Sequence, residues 1–262
     1  MKILLAGPWL GEFGWEIMMW QARIRYLSTQ KKYDKIVCIT RTGHDLLYRD
    51  FADEILFLDI DGDKNGPKLN EQFHSIPSSI LDKYRGNIEV VSPSSNFNFS
   101  GQKFISFHQK HCCSYDKYDL LFHCRSTKKL STENRNWEYD KWVRLIDRFP
   151  KLKTACIGSS GESMTISGAY DLRGVPLERL ASILSSSKMV IGPSSGVMHF
   201  ASLCMCKHIV FTDTSIAFEG KYTNRYRYEK GWNPLGAKAI VIDEEGWRPS
   251  VETVIGYIEE EL

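Results

Sequence analysis

A turn of small residues, Gly192-Pro193-Ser194-Ser195-Gly196, stands between the apolar run Met189–Ile191 and a stretch that reads as a helix. A strand that breaks into a helix through such a turn aims several backbone N–H groups at one point, and the helix dipole adds partial positive charge there. That combination suits a phosphate, with Ser194 and Ser195 adding hydroxyls. A plain helix cap is the alternative, since serine favours that position anyway. His199 follows within the first turn or so, either against the ligand or packed so as to orient the loop. Upstream lies a polar-glycine corner, Asp171-Leu172-Arg173-Gly174, then a helical pattern from Pro176 to Ser187 with Leu177, Leu180, Ile183 and Leu184 on one face.

Cations for a phosphate are available elsewhere. Arg125, Lys128, Lys129 and Arg135 share the polar loop after the strand Leu120–His123. An arginine there can meet a phosphate with two parallel hydrogen bonds, so Arg125 and Arg135 are the preferred candidates, against the alternative of a solvated basic loop. The stretch Phe218–Trp232 mixes basic and aromatic residues, as a surface that meets phosphates and stacks on rings would. Tyr222, Arg225 and Arg227 are its candidate contacts to an acceptor or a nucleotide base. It serves equally as a loop that closes on a nucleotide, or as a solvated loop with anchoring rings. Near the N-terminus, Gly7 to Glu16 forms a glycine-bearing loop that lets backbone approach a ligand closely, with Glu12 and Glu16 about one helical turn apart. Trp9, Trp15 and Trp20 could stack on a sugar or base, although two of the three are expected in the core or at a domain interface.

The elements that must position these residues alternate. Strand Lys2–Ala6, a helix from about Trp15 to Leu27, strand Lys35–Thr40, a helix from about Gly43 to Phe51 and strand Glu54–Asp59 argue a parallel sheet with crossover helices. From Asp61 to about Lys117 turn signals crowd in, with an irregular insertion over Asp61–Ser79 and short apolar runs at Ile88–Val91 and Phe104–Phe107. Alternation resumes with Leu120–His123, helix Tyr139–Arg148, strand Thr154–Ile157, a strand-like piece at Ala169–Leu172, strand His208–Phe211, strand Ala239–Ile242 and helix Ser250–Glu259. The expectation is an α/β chain of two Rossmann-like domains facing each other across a cleft, the first abbreviated. The expected division is 1–117 for the acceptor side and 118–262 for the nucleotide side, the last helix packing back on the first domain. Ligands would bind at the carboxyl ends of the strands.

The segment Asp171–Ser202 resembles the signature of heptosyltransferase-type glycosyltransferases of family 9. Their pattern is roughly D-L-x-G, a helix, an apolar strand, then G-x-D-S-G-x-x-H; here it stands as Asp171-Leu172-Arg173-Gly174 and Gly192-Pro193-Ser194-Ser195-Gly196-Val197-Met198-His199. Two weaker echoes are Gly11-Glu12 after the first strand and Asn134-Arg135-Asn136-Trp137 in the second half. The resemblance implies a GT-B fold, a nucleoside-diphosphate-sugar bound by the C-terminal domain and an acceptor by the N-terminal one. It implies a basic residue of the Arg125–Asn136 loop against the leaving group, and Glu12 as general base with Glu16 competing. It also implies metal-independent transfer with inversion. Two positions depart from the pattern. The family's aspartate in G-x-D-S-G is Ser194, so a carboxylate that would meet sugar hydroxyls is missing, and the first-loop aspartate is Glu12. Heptose transfer onto lipopolysaccharide is therefore not carried over. The acceptor is expected to be a glycan or lipid-linked glycan, or a hydroxylated DNA base. Rival readings are a sugar-nucleotide epimerase or hydrolase on the same fold, and a non-catalytic nucleotide-sugar or glycan-binding protein.

The 262 residues are 42% hydrophobic and 25% charged, ordinary for a globular protein with a real core. A formal net charge of +2 neither demands nor excludes nucleic acid. No apolar run approaches the ~20 residues that span a bilayer, and MKILLAG reads as a first strand rather than a signal segment. The expected location is cytoplasmic, or peripheral to the membrane. The seven cysteines are scattered, as in reduced buried thiols. A metal site from His108, His111, Cys112 and Cys113 lacks a second ligand pair at finger-like spacing, so no metal and no resident cofactor is expected. The nucleotide-sugar enters as substrate.

Overall fold

A computed structural model describes residues 1–58, 76–84, 86–93, 101–108, 117–128, 133–217 and 222–262. The chain divides into two compact units, Met1–Phe104 and Ile105–Leu262. His111, Cys112, Cys113, Lys129, Phe218 and most of the Asp61–Ser79 stretch lie outside the described residues.

The first unit is built on a four-stranded sheet of β1 (Lys2–Trp9), β2 (Lys35–Thr40), β3 (Glu54–Phe57) and β4 (Asn87–Val91), in the order β3-β2-β1-β4. Its pairings are all parallel. From Ile3 to Trp9, β1 is buried throughout, as a central strand covered on both faces must be. One continuous helical run follows it: α1 (Phe13–Trp15), a π-helical segment Glu16–Trp20, and α2 (Gln21–Ser28). The helix α3 (Ser78–Lys83) precedes β4. The expected helix over Gly43–Phe51 is only a 3-10 turn at Asp45–Leu47. Leu46, Leu47 and Tyr48 are nonetheless all buried, so tertiary packing rather than helix propensity holds this loop.

The second unit carries six parallel strands: β5 (Leu120–Phe122), β6 (Thr154–Cys156), β7 (Tyr170–Asp171), β8 (Met189–Pro193), β9 (His208–Phe211) and, beyond the small antiparallel pair β10 (Ile216–Ala217) and β11 (Tyr222–Thr223), β12 (Ala239–Ile242). Their order is β12-β9-β8-β5-β6-β7. The chain moves outward from β5 to β6 and β7, then returns to the other side of β5 with β8. The strand order therefore reverses between β5 and β8, and in open α/β sheets the crevice beyond the carboxyl ends at such a point is where ligands bind. The Phe104–Phe107 run forms no strand.

Four helices of this unit bury one face each: α4 (Tyr139–Arg148) through Trp142, Leu145 and Ile146, α5 (Leu177–Ser186) through Leu180, Ala181, Ile183 and Leu184, α6 (Gly196–Leu203) on most of its length, and α8 (Val251–Glu261) through Val251, Val254 and Ile258. Ser250 caps α8, its side chain accepting from the Thr253 amide at 3.3 Å. The core centres on Trp137 and Trp142, whose rings meet edge to face at 4.6 Å, with Phe211 at 5.2 Å from Trp137. No helix among the described residues is long and apolar enough to cross a membrane.

Candidate functional site

The loops after β5 and β8 flank the strand-order reversal of the second sheet. Gly192 has no room for a side chain: a Cβ there would sit 2.9 Å from His123 Cβ and 3.1 Å from His123 O. His123 occupies that space and is buried, with burial as the main cause and Arg125 adding to it, so that its pKa falls to about 4. The two strands are thereby drawn together just before Ser194.

Ser194 donates its backbone N–H to Phe211 O at 2.9 Å, which fixes the turn to β9. Ser195 is the N-cap of α6 but has extended backbone, φ −163° and ψ 172°, and makes no side-chain cap bond. Its hydroxyl oxygen is buried with no hydrogen-bond partner among the described residues. An N-cap serine usually satisfies a first-turn N–H. Here the first-turn donors and a buried hydroxyl are presented together instead, which is the arrangement an external anion would complete.

His199, one turn into α6, faces the same place. Its Nε2 lies 3.3 Å from Ser194 Oγ, and its Nδ1 is buried without a partner among the described residues. The ring stacks on Trp232 at 4.9 Å and 19°, with Tyr228 at 5.8 Å. Burial, followed by the charges of Arg135 and Arg227, depresses its pKa to about 3, so the imidazole is neutral at pH 7. Those two arginines come from distant segments. Arg135 ends a 3-10 turn at Glu133–Arg135 and lies 4.4 Å over the Trp247 ring. Arg227 ends α7 (Asn224–Arg227) and lies 5.5 Å over the Trp232 ring. Burial and then the charge of Arg135 lower the pKa of Arg227. Two guanidinium groups thus bear on one neutral imidazole at an uncapped helix start. Like charges brought together at the cost of desolvation are stabilised by an anion between them.

Arg125 donates to Asn136 Oδ1 at 3.0 Å, and Asn136 Nδ2 donates to Thr127 O at 2.7 Å, so Arg125 ties its loop together. Lys128 is exposed. Arg225 is held by Asp243 Oδ1 at 2.8 Å and by Val241 O, which ties α7 to the end of β12. Tyr222 stacks on Tyr226 at 4.7 Å and 10°, both rings close to half exposed. His108 bonds to Cys204 O through Nδ1 at 3.2 Å. Among the described residues no group of three or more His, Cys, Asp or Glu is arranged to hold a metal ion.

In the first unit, Glu12 is exposed at the N-cap of α1. Glu16 is wholly buried and engaged by Thr40, Tyr48 and His44, so it meets no solvent-borne group directly. Trp9 is 1% exposed and stacks on the equally buried Trp20 at 5.8 Å; both are core residues, which leaves Trp15, half-buried, as the one of the three with an open surface. Sequence reasoning did not single out Trp232 or Trp247, the rings beneath the two arginines; a tryptophan close to a basic turn is the signal that both carry. It also passed over His44 and His123.

No family model matches the sequence, and no curated protein matches it. Solved structures do. A glycosyl transferase family 9 protein from Veillonella parvula aligns with a TM-score of 0.63 at 14% identity, covering 99% of this chain and 96% of that one. The E. coli ADP-heptose LPS heptosyltransferase II aligns with a TM-score of 0.61 at 13% identity over 99% and 98% of the two chains. The E. coli heptosyltransferase WaaC, solved with ADP, gives 0.58 at 11% identity over the full length of both. The chain therefore has the two-domain α/β fold of the GT-B type.

Proposed function

We propose that this protein is a glycosyltransferase that moves a sugar from a nucleoside-diphosphate donor to a hydroxyl acceptor. The observation that carries the reading is the bearing of Arg135 and Arg227 on His199 at the uncapped start of α6, beside the strand-order reversal. Departure of a nucleoside diphosphate builds negative charge on its β-phosphate, and preorganised donors aimed at that charge are the largest catalytic contribution such a site offers. First-turn amides of α6, the Ser195 hydroxyl and the two guanidinium groups supply them. The neutral His199 adds no charge of its own. Ser194 in place of a carboxylate keeps a negative group away from the diphosphate. The neighbouring E. coli enzymes, named for ADP-heptose or solved with ADP, make ADP the first ligand to test here.

The two arginines and the helix start supply the positive charge that a divalent cation would otherwise bring, so the reaction is proposed to proceed without one. Inversion at the anomeric carbon follows if a base on the opposite side of the sugar activates the acceptor in a single displacement. The exposed Tyr222–Tyr226 stack offers a flat apolar face for a sugar ring of the acceptor.

The test is calorimetric titration with ADP, UDP and GDP, followed by product analysis with the matching nucleotide sugars. Binding of one diphosphate that S195D abolishes supports the reading, because a carboxylate at that point repels the anion. A wild-type protein indifferent to all three refutes it. Sugar release with donor alone would indicate a hydrolase instead of a transferase.

A further inference from the structure

A π-helical segment, Tyr228–Trp232, follows α7 directly, and local π-helix recurs at functional sites. Side chains at both of its ends dock it on α6. The Tyr228 hydroxyl donates to Met198 O at 3.3 Å. Ser202 is wholly buried and shares its hydroxyl proton between His199 O at 2.7 Å and Trp232 O at 2.8 Å. One side chain thereby ties the backbone of Trp232 to that of His199.

The Trp232 ring meets two groups of the candidate site at once. The His199 imidazole stacks on it at 4.9 Å, and the Arg227 guanidinium lies over it at 5.5 Å. An indole offers a flat face to a parallel ring and a negative face to a cation. Trp137 and Trp142 fill the core of this unit and are fully buried, whereas Trp232 keeps part of its surface exposed and stands outside that cluster. Filling space in the core does not account for it. A guanidinium partly dehydrated beside another, as Arg227 is beside Arg135, gains by turning out to water. An imidazole left uncovered gains by hydration and takes up a proton more readily. The indole opposes both movements.

We propose that Trp232 is a positioning residue of the donor site, one ring that holds the plane of His199 and the guanidinium of Arg227 at the start of α6 for a nucleoside diphosphate; this rests on the donor reading given under Proposed function. It touches neither the reacting atoms nor the phosphates. The charged or titratable groups bearing on His199 are Arg135 and Arg227, which stay charged, and His208. The Ser194 hydroxyl and Tyr228 also contact the ring.

Calorimetric titration with ADP tests the role. W232L keeps an apolar side chain without a ring and is expected to weaken ADP binding by ~3–30-fold, the range of a lost cation–π contact. W232F keeps an aromatic face and is expected to recover most of that loss. S202A, a small change that leaves the ring in place, is expected to weaken binding by less than W232L does. A fourth variant, W232A, opens His199 to water, so its pKa returns toward the ordinary ~6.5 and acid adds a positive charge beside the anion. The deficit of W232A against the wild type should then shrink as pH falls from about 7.5 to about 5.5, because the wild-type ring, with its pKa at about 3, stays neutral there. The titration of ADP itself cancels in that ratio. A deficit that does not change with pH overturns the proposal, as does ADP binding by W232L, or by S202A and W232F alike where W232L does not fold, that equals the wild type; both results leave the donor site standing. A wild type that binds none of ADP, UDP and GDP refutes the donor reading, and the role given to Trp232 with it.

Discussion

Three buried histidines give the second unit a steep and testable response to acid. His123, His199 and His208 are buried, and desolvation holds their pKa values to about 4, about 3 and about 4. His208 is fixed further by Nδ1 donating to Cys206 O at 2.8 Å. All three are neutral in the folded protein at pH 5 to 6, whereas in the unfolded chain they titrate near the ordinary histidine value of ~6.5. The folded pKa values are depressed, so the associated stability is present above about pH 6.5 and is lost as pH falls toward 4. Each proton taken up only by the unfolded chain contributes a slope of about 1.4 kcal/mol per pH unit. With three sites nearly saturated in the unfolded state, the loss between pH 6 and pH 5 reaches about 3–4 kcal/mol, on the order of half the stability of an ordinary domain. Carboxylates with lowered pKa values, such as Glu54 at about 2, come into play only at lower pH, so this window isolates the histidines. Hydrogen exchange of the β8 and β9 amides against pH, in the absence of ligand, reads the second unit alone. H208Q is expected to reduce the slope by about a third. A loss below about 1 kcal/mol across the window would refute the burial argument, since it would mean that at most one of the three rings stays unprotonated.

Other outcomes follow from the same geometry. R135A and R227A are each expected to weaken ADP binding by ~10–100-fold, in line with the ~1.5–3 kcal/mol of a charge-assisted hydrogen bond, and the loss should shrink as salt is raised; titration calorimetry at two ionic strengths checks both parts. G192A forces a Cβ against His123 and should cost ~1–3 kcal/mol in a denaturant series, whereas the same change at Gly231, where no atom lies within 4 Å of a Cβ, should cost ~1 kcal/mol or less. Incubation with EDTA should leave ADP release from the nucleotide sugar unchanged, and metal-dependent recovery of a lost rate would contradict the charge assignment to the two arginines.

Much of the architecture was legible because it rests on local pattern. Parallel strands covered on both faces read as unbroken apolar runs, and Leu4, Leu5, Val190 and Ile191 are all fully buried. The strand-turn-helix at Gly192–Gly196 was equally plain, since small residues and the restart of helical periodicity are properties of neighbouring positions. Local pattern misled at Gly43–Phe51, where apolar spacing suggested a helix and packing of Leu46, Leu47 and Tyr48 produced a 3-10 turn. It named Glu16 as a candidate base but not its burial, which arises only because Thr40 at the end of β2 and His44 and Tyr48 beyond it close over the carboxylate.

The chain alone thus determined where its strands and turns lie and which turn could meet an anion. The tertiary structure decided which charges bear on that turn: those of Arg135 and Arg227 both act on His199, while Arg225, two residues away, is held by Asp243. The reason is physical. Backbone preference and apolar spacing act over a few residues, but the loss of water that gives a charge its worth is imposed by whatever the fold packs against it, from any distance along the chain.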